Sequence, residues 1–182
     1  MADIRILYTE DGVGYNHATK ADVMNRGFLI AHDASGHHSS VDFPALHIDV
    51  NGTALPISSG ESAIVFSTSG GLRINRGPFV VSSTGFSPPT TGKYMVNAVC
   101  EVNFATTDGW QEAIIKRNTT SILKGYGFFR NTSGYFGLYV NALVLCESTT
   151  DVFSFYVNQD SGTATIGGTA AETYFQMWKV GK

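Results

Sequence analysis

The chain has 182 residues, 43% hydrophobic and 12% aromatic but only 15% charged, with 20 glycines and a formal net charge of −3. That length accommodates one core and an appendage. A slightly acidic chain without clustered Lys and Arg carries no electrostatic footprint for nucleic acid, and no apolar run reaches the roughly 18–20 residues of a membrane span, so neither nucleic-acid binding nor membrane insertion is expected.

Residues 1–47 differ in texture from the rest. Ile4–Tyr8 alternates weakly and ends at Glu10, Asp11 and Gly12, as a short strand would. Thr19 with Asp22 resembles a capping box, Ala21 and Met24 favour helix and Gly27 sits at a C-cap position, which predicts about two helical turns. The first residues, MADIRILYTEDG, lack the basic-then-apolar pattern of a signal peptide, so synthesis in a cytoplasm is expected. Four of the five histidines, His32, His37, His38 and His47, follow. Imidazoles are common metal ligands, and His32, His37 and His38 are the candidates; with no strict zinc spacing, however, an exposed polar loop is the reading adopted, and no metal or cofactor is implied. The few apolar residues here cannot make a core of their own. Residues 1–47 therefore read as an arm that docks on a partner, with Tyr8, Tyr15, Met24, Phe28 and Phe43 as its contact residues, and residues 48–182 as the domain.

From Asn51 onward, strand signals arrive at regular intervals: ESAIVFSTS, GLRINRG, PFVVSSTGF, then the Pro88-Pro89 break. The longest element is Gly92–Phe104, in which Tyr94, Val96, Ala98, Cys100, Val102 and Phe104 occupy every second position and form one buried face. WQEAIIKRN, ILKGYGFF, YFGLYVNALVLCE, DVFSFYVNQ, GTATIGG and ETYFQMWKVG follow. The run from Leu138 to Cys146 is apolar on both faces, as suits a strand covered by a second sheet on one side and by a sheet or another subunit on the other. Cys100 and Cys146 lie within strands and read as buried reduced thiols. Short strands separated by turn residues every 8–12 positions indicate an all-β sandwich.

Chemistry is sparse. No GxSxG turn presents a nucleophile, and Ser67–Gly71 reads as a hairpin turn. Glu61, Glu101, Asp108, Glu112, Glu147, Asp151, Asp160 and Glu172 offer carboxylates for glycoside chemistry, but they sit at turns and strand ends, where solvated charges belong. Asn51, Asn118 and Asn131 each open a glycosylation-type tripeptide, which chance explains in so Asn- and Thr-rich a chain. Exposed aromatics near Trp110 and Tyr126 offer stacking surfaces for sugar rings. No enzymatic activity is expected.

The run GFSPPTTGKYMVNAVCEVNF resembles the element of tumour-necrosis-factor-like domains and of complement globular heads in which an aromatic and a Pro precede a Gly-x-Tyr opening a long central strand. IIKRNT, FGLYVNALVLCESTTDVFSFYVNQ and TYFQMWKVG resemble the strands that follow, so the likeness covers about residues 58–182. It departs at Gln176-Met177, where the family commonly has a Gly. The resemblance implies a jelly roll of about ten antiparallel strands assembling as a homotrimer through Tyr94, Tyr139, Tyr156, Tyr174 and Trp178. In that fold the strands holding Cys100 and Cys146 are neighbours, which permits a bridge, although thiols remain the reading.

A chain with such a head and a polar arm also resembles tailed-bacteriophage virion proteins. This implies a capsid decoration (cement) or head-fibre trimer whose partners are itself and virion proteins, chiefly the major capsid protein. The alternative is a tail-fibre or baseplate tip that binds a host surface glycan through Trp110 and Tyr126.

Overall fold

In a computed structural model, residues 44–104, 108–130, 134–160, 162–168 and 172–181 are described. They belong to the unit Phe43–Lys182. The candidate arm residues Tyr8, Tyr15, Met24, Phe28 and Phe43, the histidines His32, His37 and His38, and the expected helix around Thr19–Gly27 lie outside the described residues.

The described chain is built of β-strands alone, in the order β1 (Ala45–Asp49), β2 (Leu55–Ile57), β3 (Gly60–Ala63), β4 (Leu72–Arg76), β5 (Val80–Val81), β6 (Phe86–Ser87), β7 (Gly92–Phe104), β8 (Asp108–Arg117), β9 (Thr120–Arg130), β10 (Gly134–Cys146), β11 (Phe153–Gln159), β12 (Ala164–Ile166) and β13 (Tyr174–Gly181). The central strand β7 has the bounds its alternation predicts. Two short strands, β1 and β2, were not anticipated, and β1 places Ala45, Leu46 and His47 in the sheet, ahead of the expected domain boundary at 47/48.

All pairings are antiparallel, in two sheets. In the seven-stranded sheet, β10 lies along the whole of one edge of β7, from Gly134 opposite Phe104 to Cys146 opposite Gly92. The other edge is shared: β13 pairs with Lys93–Val99 and β12 with Val102–Phe104. Strands β1 and β4 continue outward from β13, and β2 from β12. In the six-stranded sheet, β11 pairs with β8 along one edge and with β6 and β3 on the other, and β9 closes the row beyond β8. The turn at Ser67–Gly71 is therefore not a hairpin. It carries the chain from β3, in one sheet, to β4, in the other, because β3 pairs with β11 and β4 with β1.

The core lies between the sheets. Tyr94, Val96, Ala98, Cys100, Val102 and Phe104 of β7 all point into it, which is what a period of two dictates. Tyr94 is 0% exposed, and its hydroxyl donates to the Thr90 carbonyl at 2.8 Å. The Tyr94 ring is thus a core side chain and not part of an outer face, which corrects the expectation that it contacts another subunit. Phe66, Phe86 and Phe175 stack across the sandwich, with Phe86 and Phe175 centroids 4.6 Å apart. Such pairs add to the burial of each ring.

Missing side chains permit two close approaches. A Cβ on Gly71 would overlap the Asp49 carbonyl oxygen, and one on Gly125 of β9 would lie 2.5 Å from the Tyr139 oxygen of β10. Gly125 thus lets the outer strands of the two sheets draw together along one side of the sandwich. Asp151, buried at the turn before β11, accepts from the amides of Glu147 and Ser148 and from Asn118, tying that turn to the β8–β9 turn. Asn118 uses both side-chain ends in this clamp, accepting from the Val152 amide at 3.0 Å, and is not free for modification. Asn51 lies in an exposed turn, and Asn131 lies outside the described residues.

Cys100 and Cys146 are buried free thiols on paired strands. Cys100 faces Leu138, however, while Cys146 faces Gly92, eight residues further along β10, or roughly 27 Å at ~3.4 Å per residue. A disulfide needs Cα atoms about 4.4–6.8 Å apart, so this register excludes the intrachain bridge. Burial pushes both thiols above their ordinary range, which removes the reactive thiolate.

Two outcomes follow. Alkylation with iodoacetamide at pH 8 should leave both cysteines unmodified in the folded protein and modify both in denaturant; mass spectrometry reads the difference, and an oxidised Cys100–Cys146 peptide would contradict the register. In urea unfolding, Phe175→Ala should cost about 3–5 kcal/mol, while Val80→Ala, at a 72% exposed position, should stay within about 0.5 kcal/mol.

Candidate functional site

The two sheets present outer faces of opposite chemistry. On the six-stranded sheet, strand alternation points Trp110, Glu112, Ile114 and Lys116 of β8 outward beside Tyr156 and Asn158 of β11. Polar pairs cover the middle of this surface, and the rings of Tyr126 and Phe128 stand exposed toward its β9 edge. Lys124 of β9 donates to Glu112 at 2.9 Å, Asn158 donates to the same carboxylate at 3.4 Å, Lys116 pairs with Glu61, and the Lys116 ammonium lies 4.2 Å from the centroid of the Tyr156 ring. Glu112 is 4% exposed. Burial by itself pushes its carboxyl up, but hydrogen bonds from Lys124, Tyr126 and Asn158 together outweigh burial and hold it below the ordinary range. Tyr156, expected at a subunit interface, is thus on this polar face, away from the other interface candidates.

The seven-stranded sheet is different. Its outward side chains form three registered rows. Trp178 of β13, Met95 of β7 and Leu143 of β10 make the first; Tyr174, Val99 and Tyr139 make the third. Between them runs a polar row, His47, Gln176, Asn97 and Asn141, from β1 to β10. Tyr139 is 69% exposed, Leu143 55%, Leu145 48% and Trp178 37%, and Tyr135 and Val180 extend the patch. Along β7 this face carries a charge only at Lys93, near one end, and at Glu101, toward the other. An apolar surface of this extent is rare on a subunit that stays alone in water. Three of the expected interface residues, Tyr139, Tyr174 and Trp178, are brought together here.

The polar row is hydrogen-bonded from Asn97 to His47. Asn97 Nδ2 donates to Gln176 Oε1 at 3.1 Å, and Gln176 Nε2 lies 3.3 Å from His47 Nδ1. His47 Nε2 is buried without a hydrogen-bond partner among the described residues. The His47 ring packs against Tyr174, with centroids 5.6 Å apart. Neighbouring Asp49 is fully buried and bound by Arg73 Nε at 2.6 Å and by the Asn51 amide at 2.7 Å.

Two concavities flank the apolar rows. Between the outer strands β9 and β10 is a groove of about 250 Å³ lined by Arg117, Ile122, Leu123, Leu143 and Leu145. A cleft of about 270 Å³ lies at the far end, lined by Glu101, Asn103, Tyr135, Gly167 and Glu172. Burial, together with the negative charge of Glu172, pushes the Glu101 carboxyl up. This pairing of carboxylates was not singled out from the other acidic residues in the sequence, since β7 and the segment before β13 are far apart in the chain. Among the described residues no group of three or more His, Cys, Asp or Glu is placed to hold a metal ion.

The aromatic candidates for sugar stacking are on the β8–β9 hairpin. Trp110 is half-buried and lies opposite Phe128; Tyr126 and Phe128 are 63% and 81% exposed. Phe128 is the most exposed of the three.

No protein-family model matches the chain, and no curated protein does either. Solved structures do. A crystal structure of murine APRIL superposes with a TM-score of 0.56 at 13% identity, covering 76% of this chain and 99% of that one. The structure of Eiger TNF from S. frugiperda superposes with a TM-score of 0.57 at 10% identity, covering 78% and 94%. At such identities the likeness is one of fold: the described domain is an antiparallel jelly roll of the tumour-necrosis-factor type.

The Glu112 network makes a prediction about acid stability. A carboxyl held low in the folded state contributes stability that is present above its ordinary value of 4.5 and is lost as pH falls through the lower folded value. The stability gap between wild type and Glu112→Gln, measured by urea unfolding, should therefore be larger at pH 6 than at pH 3.

Proposed function

We propose that the chain is a non-enzymatic structural protein whose jelly roll assembles as a homotrimer, with residues 1–47 anchoring it to a larger assembly. The observation that carries the reading is the contrast between the two outer faces, one covered with ion pairs and the other with Trp178, Leu143 and Tyr139 around a single polar row. A threefold ring is built from heterologous contacts, in which one patch of each subunit meets a different patch of the next. The molecule offers two such patches: the apolar rows of the seven-stranded sheet, and the β9–β10 side with its groove at Ile122 and Leu143. The texture of residues 1–47 supports the virion reading, a capsid decoration or head-fibre trimer of a tailed bacteriophage held on the major capsid protein. A trimer that binds only the assembled shell stabilises it by linkage, and three arms act multivalently.

A second reading is favoured by the exposure of Tyr126 and Phe128 beside Trp110. These rings form a platform suited to stacking on host surface glycan, as a fibre or baseplate tip requires.

In light scattering coupled to size exclusion, the purified chain should run at three times its 19.6 kDa mass, and Leu143→Glu should give a folded single subunit; a wild-type single subunit would remove the trimer. Deleting residues 1–42, which leaves β1 and His47 in place, should abolish attachment to the particle and leave the trimer intact. For the glycan reading, Trp110→Ala should lower adsorption to host cells without changing particle stability; an unchanged adsorption rate counts against it.

A further inference from the structure

The amides of Asn97 and Gln176 give the polar row one hydrogen-bond direction. Because Asn97 Nδ2 donates to Gln176 Oε1, the Gln176 amide nitrogen is the end that faces His47, and it donates to Nδ1. The ring is then neutral, with its proton on Nε2, which is buried without a partner among the described residues. Protonation would make both ring nitrogens donors. Nδ1–H would then confront the Gln176 N–H, and relief would require Gln176 and then Asn97 to turn over together. One proton on His47 therefore reverses the bonds of the row as far as β7.

The charged groups around the ring offset that proton only in part. On its own strand is Asp49, whose carboxylate is already held by Arg73 and the Asn51 amide. From β4 come Arg73 and Arg76, both cationic, with Arg76 opposite Ala45. From β13 comes the neutral ring of Tyr174. Burial, which outweighs the attraction of Asp49 and is reinforced by Arg73, already holds the imidazole below its ordinary value.

We propose that His47 is a pH sensor for self-association: with the ring neutral the His47–Gln176–Asn97 row can be covered by a second copy of the chain, and with the ring charged it cannot. The inference rests on the self-association reading above. A proton that the dissociated subunit accepts and the assembly excludes weakens association by up to about tenfold per protomer for each pH unit. The effect begins as pH falls through the value of the imidazole in the dissociated subunit, which burial holds below the ordinary 6.5.

The test is sedimentation velocity on the full chain from pH 8 to pH 5, for wild type, His47→Gln and Gln176→Glu. The wild type should be a trimer at pH 8 and dissociate by pH 5, while His47→Gln, which cannot be charged, should remain assembled throughout. Gln176→Glu places an acceptor beside Nδ1, so the protonated ring gains a partner and the sign should reverse, with assembly favoured at the lower pH. A wild type assembled equally at both pH values overturns the sensor and leaves the trimer standing, whereas a single subunit at pH 8 overturns both. Dissociation of His47→Gln at pH 5 would assign the response to another group. Should His47→Gln fail to fold, an unchanged pH response in Gln176→Glu still overturns the proposal.

Discussion

Everything in this domain is positioned by the two edges and one inward face of β7. Its inward side chains, from Tyr94 to Phe104, make one wall of the core. One edge is taken up along its whole length by β10, and the other is divided between β13 and β12. Because side chains alternate, burying the even-numbered residues of β7 obliges the odd-numbered ones to face outward. The same register then aligns Met95, Asn97 and Val99 with their counterparts on β10 and β13. The outer rows are thus a consequence of how the core is built.

What those rows contain is a separate choice. The six-stranded sheet solves its outer face in the ordinary way, with Lys124 on Glu112, Lys116 on Glu61 and an ammonium over Tyr156. The seven-stranded sheet leaves aromatic and aliphatic side chains in water, at a cost of about 25 cal/mol per Å² of apolar surface left uncovered. A single polar row crosses this surface; Asn97, Gln176 and His47 bond to one another and leave one buried imidazole nitrogen without a partner among the described residues. Buried polar rows of this kind specify alignment, since a shifted partner would face them with apolar groups. That combination suits a surface completed by another subunit and explains why no catalytic constellation is needed to account for its composition.

Much of this was legible in the residues. The alternation of Gly92–Phe104 sets the bounds of β7, and turn spacing announces the later strands. Tyr94 is in phase with Val96 and Ala98, so its parity alone marks it as a core residue; grouping it with Tyr139 and Trp178 by residue type ignored that phase. Strand β1 went unseen because the alternation of Leu46 and Ile48 is short and adjoins a His-rich polar stretch. Turn chemistry at Ser67–Gly71 signals a reversal but not whether the chain stays in its sheet. Register was the least accessible quantity: the separation of the two cysteines and the meeting of His47, Gln176 and Asn97 both depend on strand pairings between distant segments.

The central claim is that the apolar rows are covered in solution. Tyr139, on those rows, and Tyr126, on the opposite sheet, are 69% and 63% exposed in the single subunit, so isolated subunits would oxidise at both with similar rates. Hydroxyl-radical footprinting of the native protein at pH 8 should instead find Tyr139 and Trp178 protected and Tyr126 and Phe128 labelled. Equal labelling of Tyr139 and Tyr126 would contradict the account.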